Sequence, residues 1–278
     1  MKKKTNSLIL SMIFAGAMIS NVSADHAWGS YHWNISTVDS VLAPLQLGDN
    51  LTSAAWSNSL LNAETDWNFS VLQSAVVSGA TDASCQPTAG RVEVCNGAYG
   101  DTGWLGIASV WATRGKNKHI TQAVVMLNDS YFDTGAYNSD AWRDFVMCQE
   151  VGHAFGLDHQ DENFDNANLG TCMDYTSDPD GRLSAGLDNR HPNAHDYEMM
   201  GQIYAHLNST SDDGGNGKGN GKGGGKKPKN AGAGNKIDLN NPSAWGRAVR
   251  QDTLGRNSKF ERILSSGEII ITHVLWAL

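Results

Sequence analysis

Apolar positions fall into two kinds of stretch along this chain. Short runs rich in β-branched and apolar residues stand at Arg91–Cys95, Ile107–Ala112 and Ala123–Leu127, with an earlier one around Tyr31–Ile35, and all read as strands. Longer stretches carry helical spacing. One runs from Leu51 to about Val77. A second runs from Asn138 to Phe155, with Ser139 as its cap and Trp142, Phe145 and Val146 on the side that packs inward. The last fits Ala194 to Leu207, entered after Pro192. Strands followed by helices predict an α+β fold, and the nine tryptophans read as packing for its core or cleft.

Two segments break this pattern. The chain opens Met1-Lys2-Lys3-Lys4, continues with an apolar run from Leu8 to Ile19 and reaches the small residues Val22-Ser23-Ala24. That is the layout of a signal peptide over residues 1–24, with a run too short for a comfortable membrane span. No cysteine marks the cleavage point for a lipid anchor, so the expected location is secreted or periplasmic. Residues 209–235 are Gly, Lys and Asn with no apolar content, which predicts a flexible linker. The chain therefore divides into a main domain over 25–208 and a small β-rich C-terminal module over 236–278. Trp245-Gly246-Arg247, Arg256 and the apolar run Glu268–Trp276 suggest a hairpin there. Docking on the main domain, binding a partner and serving export are all open roles for it.

Charge narrows the partners. The formal net charge is −8. Setting aside three leader lysines, and the linker and C-terminal module with excesses of +3 and +2, residues 25–208 carry roughly −16. Such a domain repels nucleic acid and anionic membranes. It suits calcium, for which Asp161-Glu162, Asp165 and Asp178-Pro179-Asp180-Gly181 offer oxygen ligands, although solvated acidic loops are the plainer reading. The four cysteines of an exported chain read as two disulfides, with three pairings allowed.

The chemistry concentrates in Gln149-Glu150-Val151-Gly152-His153-Ala154-Phe155-Gly156-Leu157-Asp158-His159. On a helix Gln149 and His153 share a face, and Glu150 lies three before His153 on nearly the same face. Gly156 lets the helix stop and the chain turn, so that His159 returns to the same point. Two imidazoles beside a carboxylate form a set that can bind zinc and keep a base at hand. Gln149 adds an amide oxygen, a weaker ligand than imidazole. Cys148 lies on a different helix face and does not replace it.

These residues resemble the metzincin metallopeptidases, more narrowly the secreted matrixin-like enzymes, whose pattern is H-E-x-x-H-x-x-G-x-x-H followed by a methionine turn. The likeness covers residues 25 to about 208, with Gln149 in place of the first histidine. It implies a twisted mixed sheet, the motif helix, a methionine turn at Thr171-Cys172-Met173-Asp174-Tyr175 and a closing helix. It implies zinc at Gln149, His153 and His159, with Met173 as the floor of the site and Glu150 as the base. It places Tyr175 where a hydroxyl steadies the reaction's intermediate. Gly103–Ala108 and Thr121–Asn128 resemble the segment bordering the substrate cleft. The implied closeness of helix and turn favours Cys148 with Cys172, leaving Cys85 with Cys95.

The first reading is thus a secreted zinc endopeptidase acting on peptides or proteins. The second is a pseudopeptidase of the same fold, kept as a binding module after loss of a ligand. A third, a calcium-stabilised adhesin, rests on acidity alone. Substrate specificity and oligomeric state leave no mark in the sequence.

Overall fold

The strands expected from the apolar runs assemble into one mixed sheet, seen in a computed structural model that describes residues 26–35, 37–38, 41–81, 84–116, 118–133, 135–183, 185–208 and 237–278. The expected signal peptide and linker lie outside the described residues. In chain order the elements are β1 (His32–Trp33), β2 (Thr37–Val38), β3 (Val41–Leu42), β4 (Leu45–Asn50), α1 (Ala54–Trp67), β5 (Ser74–Ser78), β6 (Arg91–Gly97), β7 (Trp104–Ala112) and β8 (His119–Asn128). Then come α2 (Asp129–Phe132), α3 (Asp140–Ala154), α4 (Ala194–Ile203), α5 (Ala205–Asn208), β9 (Arg247–Gln251), β10 (Asn257–Ile263) and β11 (Ile269–Trp276). The fold is α+β.

The sheet order is β5-β4-β6-β8-β7-β11-β10-β9, with β1 beside β8. β5, β4, β6 and β8 run parallel, and β7 turns back antiparallel to β8. The sheet then continues past the linker. β11 lies antiparallel along β7, and β10 and β9 follow antiparallel in turn. Residues 237–278 therefore share the sheet of the main domain and extend it beyond β7.

Alternation along the strands explains the two layers. On β8, Ala123, Val125 and Leu127 join the core beneath α1 and α3, while Val124 and Met126 face the other side. On β11, Ile269, Ile271 and Leu275 join the helix-covered face, while Ile270 and Val274 face away. That second face is covered by Leu239, Trp245 and Phe260 of the C-terminal segment, packed with Trp104, Ile107 and Trp111. Among the described residues no helix is long and apolar enough to cross a membrane.

One expected element is corrected. The helix read from Leu51 to about Val77 stops at Trp67, and Ser74–Ser78 is a strand. Asn68 ends the helix because its side-chain oxygen accepts from the backbone of Ser74 at 2.7 Å, turning the chain into Val76 and Val77, whose branched side chains suit a strand. Ser53 caps the other end, accepting from Trp56 N.

α3 is the best anchored helix. Ser139 caps its start by accepting from Trp142 N. At its end the free carbonyls are met by side chains from distant elements. Trp28 donates to His153 O at 3.2 Å, Trp33 to Ala154 O at 2.8 Å and Tyr204 to Phe155 O at 2.8 Å. Three aromatic donors thus fix the turn on which the histidines depend. α4 is tied to the same region through Asp196, which accepts from Asn193 N at 2.7 Å, Thr171 Oγ1 at 2.5 Å and Gln160 Nε2 at 2.9 Å.

Candidate metal centre

α3 carries Gln149, Glu150 and His153 on its buried length, and all three are essentially inaccessible. Gly156 ends the helix with φ +111°, a conformation costly for any residue with a Cβ, and an added Cβ would meet Tyr31 O at 2.5 Å. The chain then brings His159 back, so that His153 Nε2 and His159 Nε2 lie 2.8 Å apart. The structure unites these two residues as the spacing predicts.

Counting protons shows what this contact needs. His153 Nδ1 faces the Leu157 carbonyl at 2.9 Å, and His159 Nδ1 faces Glu162 Oε1 at 2.7 Å. Both partners only accept, so each Nδ1 carries the proton of its ring. Burial, then the His159 ring, pushes His153 well below the usual imidazole range, so it is neutral at pH 7. The 2.8 Å between the two Nε2 atoms then leaves room for one bridging charge, a proton on one ring or a cation shared by both. Zinc is a cation that takes imidazole through Nε2. Outer carboxylates and carbonyls that hold Nδ1–H are the usual supports of such ligands.

The surrounding groups add unmet polar atoms. Both oxygens of Glu150 are buried without a hydrogen-bond partner among the described residues, and burial drives this carboxyl well above the usual carboxylate range. Gly106 on β7 makes its berth, since a Cβ there would come within 2.6 Å of Glu150 Oε1. Gln149 donates through Nε2 to Cys172 O at 2.8 Å, and its Oε1 is left unpaired. Met173 is fully buried, its sulfur against Gly152, where a Cβ would approach it to 2.6 Å. Tyr175 packs its ring on His159, with centroids 4.5 Å apart, and its hydroxyl donates to Val274 O at 3.2 Å.

The turn carrying Met173 is held in place twice. Gln160 N donates to Met173 O at 2.6 Å and Tyr175 N to Asp161 O at 3.2 Å, stitching it to the segment after His159. A disulfide joins Cys148 of α3 to Cys172, and a second joins Cys85 to Cys95. Both pairings agree with the expectation.

Asp174 in this turn titrates unusually. Its carboxyl is pushed up to about 6, chiefly by burial, against bonds from Leu169 N and Asn189 that favour its charge. The folded chain thus holds a proton that the unfolded chain has released between pH 4 and 6. Stability falls as pH rises through that window, by an upper limit of about 3 kcal/mol. Thermal midpoints of Asp174→Asn and the parent chain, measured from pH 4 to 7, should separate in the variant's favour as pH rises.

The sequence pattern missed the residues around this pair. Asp158, His159 and Glu162 form a buried cluster whose ligand atoms lie within 4.8 Å of one another and could hold a metal ion. Its two carboxylates already have cations: Asp158 meets Lys259 and Arg250 at 2.8 and 2.9 Å, and Glu162 meets Arg250 at 3.5 Å. Burial raises both carboxyls, but Lys259, His159 and Arg250 bring Asp158 down, and His159 followed by Arg250 brings Glu162 down. Glu162 faces His159 Nδ1 at 2.7 Å, so this cluster adjoins the facing Nε2 pair. The other missed residue is His273 on β11, fully buried, its ring stacked on His153 at 4.1 Å. An imidazole among the apolar residues of Ile269–Trp276 was the signal for it.

No protein-family model matches this sequence, and no curated protein matches it. Among solved structures, two of myroilysin are similar to it at 12% and 13% identity. One likeness covers 58% of this chain and 79% of that one at a TM-score of 0.32. The other covers 63% and 86% at 0.34. At such scores the likeness is too slight to assign a fold or an activity.

Proposed function

We propose that this protein is a secreted zinc-dependent endopeptidase of the matrixin-like metzincin type, with residues 25–208 as its catalytic domain. The observation that carries this reading is the pair of Nε2 atoms facing each other at 2.8 Å beside an unpaired Glu150. His153 and His159 would hold the zinc, with the Gln149 amide oxygen adjacent and weaker. Zinc there supplies Lewis acidity toward a scissile carbonyl. Glu150 would take a proton from the attacking water and deliver it to the leaving amine, the charge of a bound cation bringing its carboxyl down from the raised range that burial imposes. Tyr175 offers its hydroxyl to the oxygen that gains charge. Two disulfides suit an extracellular chain.

A pseudopeptidase is the second reading, and one observation favours it. β11 occupies the free edge of β7, and Glu150, His153 and His159 are buried beneath the sheet so extended. A peptide reaches Glu150 only once β11 moves. The activity assay therefore takes two forms of the protein: the intact chain, and the chain cut by trypsin in its lysine-rich segment 209–235. Cleavage of an unfolded protein such as casein by either form, lost with a chelator and restored by zinc, supports the peptidase. Zinc binding without cleavage in both forms favours the pseudopeptidase. Tyr175→Phe should slow cleavage by roughly ten- to a hundredfold, the loss of one stabilising donor.

A further inference from the structure

We propose that residues 237–278 form an autoinhibitory strap, which closes the site through β11 and opens as one body along the seam between β11 and β7. The inference rests on the peptidase reading above for what the strap inhibits, and on the sheet for how it moves. β9, β10 and β11 come last in the chain and together form one end of the sheet. Among the described residues β11 alone of the three pairs with the main domain, along β7 from Ala112 to Trp104. Parting that seam leaves β5, β4, β6, β8 and β7 paired as before. β7 is also the strand whose Gly106 berths Glu150, so the seam runs beside the site.

The strap is tied internally. Trp245 packs on Phe260 with ring centroids 5.0 Å apart and donates to Leu239 O at 2.7 Å. Arg262 donates to Ala244 O at 2.8 Å and Arg256 to Ala277 O at 2.6 Å. Against the main domain it makes two kinds of contact. Away from the site, Trp245, Phe260, Ile270 and Val274 pack with Trp104, Ile107 and Trp111, and this apolar burial keeps the closed state the major one. Toward the site the contacts are charged. Lys259 and Arg250 meet Asp158 at 2.8 and 2.9 Å, and Ser258 donates to Glu162 at 3.1 Å. Asp158 and Glu162 lie on either side of His159 in the chain, so this latch grips the segment that carries it.

One residue of the strap works against closure. His273 is fully buried, its ring stacked on His153 at 4.1 Å. A buried imidazole normally satisfies its nitrogens, yet neither nitrogen of His273 has a hydrogen-bond partner among the described residues. Opening gives both nitrogens to water, so this ring favours the open state, whereas an aliphatic side chain in its place favours the closed one. Closed, the strap leaves Glu150, His153 and His159 inaccessible. Apolar packing and the charged latch hold it there, and the unpaired ring keeps it displaceable without unfolding the rest.

Amide hydrogen exchange of the full-length, metal-free chain tests the motion. Amides of β9, β10 and β11 should exchange faster than those of β6, β8 and α3. Lys259→Met should speed exchange in the strap roughly tenfold, and His273→Leu should slow it roughly tenfold, with β6 and β8 unchanged in both. Strap amides that exchange only together with β6 and β8 overturn the proposal. A lock tests the inhibition. The hydroxyls of Ser109 and Thr272 meet across the seam at 3.1 Å, so Ser109→Cys with Thr272→Cys should form a disulfide there. Oxidised, this variant should lose both casein cleavage and modification of His153 and His159 by diethyl pyrocarbonate. Reduced, it should regain both, with the parent chain under the same reductant as the control. Parent-like modification of the two histidines in the locked form overturns the inhibition. Modification that the lock controls, without casein cleavage by any form, overturns the peptidase reading and supports the strap.

Discussion

Glu150→Gln is expected to remove at least about a thousandfold of the proteolytic rate, in whichever form of the protein cleaves, while zinc content stays near the parent's. The magnitude is that of a lost general base at a site where no other carboxylate takes its place. Asp158 and Glu162 are bound to Lys259, Arg250 and His159, so neither is free to substitute. The variant should also be more stable. Glu150 is buried with both oxygens unpaired, and an amide of the same shape removes the carboxyl without opening a cavity. A gain in thermal midpoint with a loss of activity is the signature of a residue kept for chemistry. Casein hydrolysis and scanning calorimetry on the same preparation measure both. Parent-like cleavage by Glu150→Gln would rule out this mechanism.

The second large effect concerns the link between helix and turn. Replacing Cys148 and Cys172 together by alanine should lower stability by about 3 kcal/mol, from the loop of 24 residues that the disulfide closes. The loss reaches the site directly. Gln149 donates to Cys172 O, and Met173 packs beneath α3, so a looser turn frees both. Zinc affinity should fall with stability. The Cys85–Cys95 disulfide closes a loop of only 10 residues, so replacing this pair should cost less, with zinc affinity unchanged. Chemical denaturation and metal titration of the two double variants distinguish these outcomes. Equal effects on zinc affinity would contradict the role given to the Cys148–Cys172 link.

Local signals were legible in the sequence because they act within one element. Ser139 as a cap, the helical face of Gln149 and His153, and the break at Gly156 depend on residues a few positions apart, and each is found as read. The strands at Arg91–Gly97, Trp104–Ala112 and His119–Asn128 announce themselves by composition. β4 did not, because Gly48, Asp49 and Asn50 give it a polar end and its parallel partners lie far along the chain. The overlong first helix had the same cause, since nothing local separates Val76 and Val77 from a helical run until β4 pairs with them.

His273 escaped for a related reason. Alternation along Ile269–Trp276 states which residues share a face, but not which sheet edge receives the strand. That choice depends on the vacant edge of β7, and it is made across a gap of about 160 residues in sequence. Once β11 is placed, the stray histidine in an apolar strand becomes the neighbour of His153. The charge pattern misled in the opposite sense. Glu162, read as a solvated acidic residue or else a calcium ligand, instead faces His159 Nδ1 at 2.7 Å.

On the reading proposed above, the facing imidazoles of His153 and His159 hold a metal. Elemental analysis of the purified full-length protein, dialysed against micromolar zinc and then against metal-free buffer, tests it before any substrate is known. About one zinc per chain is the expected result, falling to background in His153→Ala and His159→Ala. A folded parent chain that emerges free of zinc would contradict the account.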